Sequence, residues 1–462
     1  MLRLFILLFL SFSLFAAKGP VYVVLWFDTE DYVDPLADDA ALRLATDLTR
    51  RGVRATFKVV GEKARTLETR GRRDVIRALS LHDIGYHSDK HSIQPTPSVY
   101  LRDLDWLEGA AEFERREGPG VRDLHRIFGV VPSCYGQPGS SWGPQSYPAL
   151  RRLGIPAYVD ESPAVGLDGQ PFWYGGVLHV FRMDSALIRP SLNDEGRLEE
   201  TLRRFDRVVS ELSARGGGVI STYYHPTEFV TAEFWDAVNF SRGAIRERSE
   251  WRLPRHRTAE ESERCYRILA RYVEHALKTP DVRFATARDL LQLYEGPVGP
   301  HIEAKAAAAH FGRHLTWMAS ERGSFSAAEL LLALLGMEPQ VVDGPATRGS
   351  TTYRSPSITR PVFERSKSDA VSFICAYHRL PAAVWIGSEQ LSLPDFAATL
   401  SGDDGGSGPI TVRKGSLEAE KYIAQDPVKT FDWVIHPEGF SAPRLLELGR
   451  LQAWTLKPAR LR

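Results

Sequence analysis

The sequence predicts an α/β fold built on a largely parallel sheet, with a smaller, mostly helical domain after it. Three observations carry this. Short β-branched and aromatic runs alternate with helical periodicity at the spacing of βαβ units from Val21 to about residue 296. Past that point the alternation stops, and an alanine-rich segment leads into Gly- and Ser-broken sequence. The length of 462 residues suggests about two or three domains at roughly 150 residues each.

Taken in order, Val21–Phe27 is an unbroken β-branched and aromatic run, as expected of a buried strand. Pro35–Arg51 follows with helical spacing at Leu36, Ala40, Leu44 and Leu48, and stops at Gly52. Val53–Val60 reads as the second strand, Val75–Leu81 as a helix, and polar sequence with glycine and histidine comes next. Tyr147–Leu153 and Leu198–Ser213 read as helices, Ala157–Val159 and Gly218–Tyr224 as strands, and Thr286–Tyr294 as the closing helix. Ala304–Ala319 reads as a helix, and three later stretches echo one another around Ser326, Ser392 and Ser441, each placed where a helix N-cap would sit.

Ahead of these, residues 1–17 begin Met-Leu-Arg and run apolar from Leu4 to Ala17, the order of a secretory signal. The run is shorter than the about 20 apolar residues that a membrane span needs. It predicts export to the periplasm or beyond, with no stable membrane anchor after cleavage. The 58 basic residues cancel the 58 acidic ones, so long-range attraction to nucleic acid or an anionic membrane is excluded as the main mode of binding. Three scattered cysteines, Cys134, Cys265 and Cys375, form neither a disulfide framework nor a zinc knuckle. One disulfide with a thiol left over is the alternative.

Three constellations carry chemistry. Phe27-Asp28-Thr29-Glu30-Asp31 puts three carboxylates after the first strand, at the end where open α/β sheets expose catalytic groups. Continued extension turns Asp28 and Glu30 to one side and Asp31 to the other; a tight turn would present Asp31 instead. His87 and His91 lie four apart, which on a helical turn brings both imidazoles to one face. Two histidines and a carboxylate make a three-ligand metal set with positions left for water and substrate. The third piece is His225, which ends the Gly218–Tyr224 run. Its ordinary pKa of about 6.5 suits a general acid. Taken singly, a solvated turn, a surface histidine pair and a capped strand end are the non-functional alternatives.

Together these residues resemble the polysaccharide deacetylase (NodB-homology, carbohydrate esterase family 4-like) family. Phe27–Asp31 with Tyr32 is similar to an Asp-x-Glu-Asp-Tyr motif, and Arg54-Ala55-Thr56-Phe57 with Gly61 to the Ala-Thr-Phe…Gly stretch after it. His87-Ser88-Asp89-Lys90-His91-Ser92 matches His-Ser/Thr-x-x-His. Leu153–Ala157 with Asp160, and Tyr224-His225-Pro226 with Glu228, resemble the later motifs. The likeness spans about residues 20–296. It departs at the family's Arg-x-Pro motif, whose arginine orients the catalytic aspartate: Gly136-Gln137-Pro138 has no arginine. Either another arginine such as Arg182 reaches in, or the aspartate is held differently.

The resemblance implies a distorted (β/α) barrel with its site at the strand carboxyl ends. It implies Asp28 as general base, His225 as acid, and Glu30 or Asp31 with His87 and His91 as ligands of a divalent metal, zinc being the expected ion. The implied reaction removes N-acetyl groups from an amino-sugar polymer such as an exopolysaccharide, peptidoglycan or chitin, with Tyr135, Trp142, Trp173 and Tyr223 available to stack on sugars. A non-catalytic carbohydrate-binding protein and a hydrolase of a non-sugar amide are the alternatives. Leu380–Gly387 with Leu391-Ser392 and Phe396 resembles a pseudomurein-binding cell-wall repeat. The resulting division is 1–17 signal, 18–296 catalytic domain, 297–324 helical linker and 325–462 accessory domain.

Overall fold

The computed structural model describes residues 19–462; the export signal expected over residues 1–17 lies outside them. Its centre is a ten-stranded, mostly parallel sheet curled into a half-barrel. Nine strands come from the first two thirds of the chain: β1 (Val21–Thr29), β2 (Thr56–Val59), β3 (Asp83–Tyr86), β4 (Cys134–Tyr135), β5 (Ala157–Val159), β6 (Phe172–Tyr174), β7 (Val177–Val180), β8 (Gly218–Tyr224) and β9 (Val282–Ala285). The tenth is Lys457–Pro458. The order runs β8, β1, β2, β3, β4, β5, β7, β6, then Lys457–Pro458. β9 pairs with the first half of β1, on the edge that β2 takes further along. Only the pairings of β6 are antiparallel.

All nine residues of β1 are buried, as a strand covered on both faces requires. The helix Pro35–Arg50 starts where Asp34 accepts a hydrogen bond from Leu36 N and Pro35 takes the first turn. Most expected elements lie within two or three residues of their observed bounds. The polar stretch after residue 81, however, contains β3, with Ile84 and Tyr86 buried. The structure also adds two long helices to the expected elements, Trp106–Phe128 and Ala259–Lys278. Gly118-Pro119-Gly120 looks like a break in the first of these, yet lies inside it. There Gly120 is a packing requirement, since a Cβ would meet the Tyr86 hydroxyl at 2.6 Å.

The alanine-rich helix ends at Phe311, and the remainder becomes a loop and a short hairpin. Of the three echoes, Ser326 and Ser392 do cap helices through their side chains, whereas Ala442, not Ser441, precedes the third. All three cysteines are free thiols, so the alternative of a disulfide is not realised. Among the described residues no helix is long and apolar enough to cross a membrane. Chain order passes residue 296 without a break in the core: apolar side chains from both portions form one continuous cluster.

Candidate metal centre and catalytic cleft

Strand alternation aims one row of side chains into the half-barrel. From β1 come Trp26 and Asp28, followed by Glu30; Lys58 leaves β2, and His87 follows β3. Asp160 follows β5, and His225 follows β8. These groups meet at the strand carboxyl ends around a cavity of about 190 Å³, lined among others by Asp28, Glu30, His87, His91, Asp160 and His225.

Glu30, His87 and His91 form a buried cluster whose ligand atoms lie within 4.8 Å of one another. Glu30 Oε2 is 3.2 Å from His87 Nε2 and 2.8 Å from His91 Nε2, while Oε1 accepts a 2.8 Å hydrogen bond from Trp235 Nε1. The far nitrogens are engaged too: His87 Nδ1 lies 3.0 Å from Gly136 O, and His91 Nδ1 lies 2.6 Å from Ser92 Oγ. A proton on His87 Nδ1, given to that carbonyl, leaves Nε2 as a lone pair aimed at a carboxylate. His91 Nε2 has no hydrogen-bond partner. Two imidazole nitrogens converging on one buried carboxylate, each oriented from behind, is an arrangement that fits a divalent cation. Burial alone would raise Glu30, but His91, His225 and His87 hold its carboxyl well below the usual range.

The two histidines do not lie on a helical turn. They sit in a loop after β3, where Ser88 and His91 adopt left-handed backbone with φ of 64° and 52°. Asp31 stays outside the cluster. Its carboxylate accepts from Val33 N at 2.9 Å, Asp34 N at 3.0 Å and Thr227 Oγ1 at 3.0 Å, and so builds the turn into the first helix. Of the two carboxylates, it is Glu30 that the extended backbone presents. Glu30→Gln is accordingly expected to lose bound metal, and Asp31→Asn to keep it while costing about 1–3 kcal/mol of stability through lost acceptors. Metal analysis and melting of both variants decide; metal loss confined to Asp31→Asn would reverse the assignment.

Around the cluster runs a chain of alternating charge. Arg189 Nη2 lies 2.5 Å from Glu228, whose Oε1 is 2.6 Å from His225 Nδ1. His225 Nε2 is 3.6 Å from Asp28 Oδ2, and Lys58 Nζ is 2.8 Å from Asp28 Oδ1 and 3.0 Å from Asp160 Oδ2. Burial opposes the charged imidazole of His225, yet Glu30, Glu228 and Asp28 together raise it to about 9. Burial would likewise raise Asp28, but His87, Lys58 and His225 hold it below its ordinary value. Asp160, which burial raises and Lys58 only partly lowers, reaches about 7.

Arg182 does not enter the cleft; it is half exposed and pairs with Asp184 at 3.3 Å. Lys58 is the cation that meets Asp28. Its signal was in the sequence: a lone lysine inside the buried run Ala55–Val60. Tyr135, Trp142 and Trp173 are core residues, 5% exposed or less, and of the four proposed stacking aromatics only Tyr223 lines the cavity. Trp433, from the C-terminal third, supplies a wall that local sequence gave no reason to expect. It donates from Nε1 to Asp236 Oδ2 at 2.8 Å and from its backbone N to Ser140 Oγ at 3.0 Å.

No protein-family profile and no curated protein sequence matches this chain. Among solved structures it is similar to a Mycobacterium smegmatis protein described as a polysaccharide deacetylase, at 14% identity and a TM-score of 0.39, over 60% of this chain and 94% of that one. It is similar to the family 4 carbohydrate esterase of Streptomyces lividans in complex with acetate, at 14% identity and TM-score 0.29, over 58% and 93% of the two chains. It is also similar to a family 4 pseudoenzyme from Bacillus anthracis, at 12% identity and TM-score 0.31, over 59% and 66%.

Proposed function

We propose that this protein is a metal-dependent hydrolase that removes N-acetyl groups from an amino-sugar polymer. The observation that supports this most directly is one small cavity lined by a buried Glu-His-His set, Asp28 and His225, with His225 Nε2 3.6 Å from Asp28 Oδ2. A binding protein needs no such pairing of a proton acceptor with a proton donor.

Glu30, His87 and His91 are the residues that would hold the cation, and zinc suits their nitrogen and oxygen donors. When bound, it would supply Lewis-acid polarisation of the acyl oxygen and lower the pKa of water toward about 7. Asp28, anionic between Lys58 and His225, is placed to accept the proton of a water attacking the acyl carbon. His225 then gives its proton to the nitrogen as the C–N bond breaks, which turns a poor leaving group into a neutral amine. Glu228, backed by Arg189, orients the imidazole through Nδ1, and the proton held by Asp28 passes back to His225 Nε2, 3.6 Å away, which resets both groups. Water is consumed; a carboxylic acid, which ionises once released, and an amine leave.

The cavity accommodates little more than the reacting group. A second hollow of about 710 Å³ shares Phe234 and Trp433 with it and gives room for the rest of a larger substrate. The apolar run before Ala17 supports an exported protein that meets such a polymer outside the cytoplasm.

Acetate release from acetylated chitooligosaccharides and peptidoglycan fragments tests the reading. Turnover is expected to vanish with a chelator and return with added zinc. His87→Ala and His91→Ala should each lose metal while the apoprotein melts within a few degrees of wild type. Full metal occupancy in both variants would remove the metal assignment, and release confined to non-sugar amides would redirect the substrate.

A further inference from the structure

We propose that Lys58 is the positioning residue of Asp28, and that it works from a slot left open by the missing side chains of Gly85 and Gly136. The proposal deepens the hydrolase reading, because it rests on Asp28 being the base.

The slot is visible in the strand register. Asp28 of β1, Lys58 of β2 and Gly85 of β3 stand side by side across the sheet. The Lys58 side chain is fully buried. From β2 it reaches over β3 and β4 to Asp160 beyond β5, with Nζ 4.0 Å from the centre of the Trp26 ring. A Cβ at residue 85 would lie 2.7 Å from Cys134 Sγ and 2.8 Å from Lys58 Cγ, and one at residue 136 would overlap Lys58 Nζ and lie 2.5 Å from Asp160 Oδ2. Neither glycine has a left-handed backbone, so space and not conformation excludes a side chain there. A side chain leaving residue 136 would point at the place where the lysine ammonium now sits. The two are mutually exclusive ways of filling one position.

That position needs a cation. An ammonium buried without a counter-ion is strongly disfavoured, and here two carboxylates and an indole face surround it. Asp28 Oδ1 is tied to Lys58, and Oδ2 faces His225 across 3.6 Å. The lysine therefore fixes which way the carboxylate faces the cavity. Residue 136 begins the stretch Gly136-Gln137-Pro138, which holds no arginine.

The test uses the full-length protein loaded with Co²⁺, whose visible absorption reports the ligand sphere without turnover. Lys58→Met should keep its metal but lose turnover about 10²-fold, the scale of general-base assistance, with a changed cobalt spectrum as the released Asp28 turns toward the ion. Lys58→Ala/Gly136→Arg should recover at least tenfold over Lys58→Ala and regain the wild-type spectrum, because the guanidinium enters the same slot. Gly136→Arg alone should be impaired, with two cations competing for one place. If Lys58→Met does not fold, the double variant decides. Wild-type turnover and spectrum in Lys58→Met overturn the positioning role, and a folded double variant no better than Lys58→Ala overturns the slot. A lysine-dependent spectrum in a protein that hydrolyses no acetylated sugar leaves the positioning role intact and defeats the substrate reading instead.

Discussion

Replacing Asp28 by Asn is expected to lower acetate release by about 10²–10⁴-fold, roughly 3–5 kcal/mol at 1.36 kcal/mol per decade, with metal content unchanged. Asp28 lies outside the Glu30–His87–His91 cluster, so its loss removes no ligand. The amide has the size of the carboxylate, and Lys58, which loses its ion pair with Asp28, keeps its hydrogen bond to Asp160 Oδ2 at 3.0 Å. What the amide lacks is the basicity to take a proton from water. His225 also loses one of the anions that hold it protonated, though Glu228 at 2.6 Å remains. The variant should therefore fold, bind metal and bind oligomer, yet turn over poorly. Equal, very slow release by wild type and Asp28→Asn, with binding retained in both, would favour the non-catalytic carbohydrate-binding reading over the hydrolase.

The parts of this site that were legible share a physical origin. Asp28, Glu30 and His225 sit at or just beyond the ends of strands β1 and β8, whose apolar runs identify themselves, and the two-residue period then separates Glu30 from Asp31. The four-residue spacing predicts one face of a helical turn, whereas positive-φ residues in a loop are what bring the two histidines together. Lys58 stands out in the sequence as a lone lysine in a buried run, but its partners do not, because the room for it comes from Gly85 and Gly136, residues that matter by what they lack. Trp235, Trp433 and Asp236 are placed by contacts across hundreds of residues, such as Trp235 with Glu30 and Trp433 with Ser140. No periodicity encodes those. The fold was legible where strands are long and β-branched, and lost where β3 and β4 are short, or where glycine and proline sit inside a long helix.

The C-terminal third leads to the other large expected effect. Deleting residues 297–462 should abolish stable folding of the remainder, although every group assigned to the chemistry precedes residue 296. Lys457 and Pro458 pair with Trp173 and Phe172, so the deletion strips the edge of β6 and leaves an unpaired strand open to aggregation. The Tyr174 hydroxyl loses its acceptor, Gly449 O, and Gly175 N loses Thr455 Oγ1; with water in their place each lost hydrogen bond costs about 0.5–1.5 kcal/mol. Leu445, Leu446, Trp454 and Leu456, all 2% exposed or less, leave the common core. The fragment side chains that these residues cover then face water, and each large apolar one left exposed forgoes about 1.5–3 kcal/mol of the 5–15 kcal/mol by which domains are stable. The cleft suffers as well, since Trp433 goes with its bond to Asp236 beside the Glu30–His87–His91 cluster. The fragment 18–296 should be insoluble or melt without a cooperative transition, whereas the full chain melts sharply under the same conditions. A soluble fragment with full metal occupancy and a sharp melt would show that the curled sheet needs no cover from the C-terminal third, which would then be an accessory module.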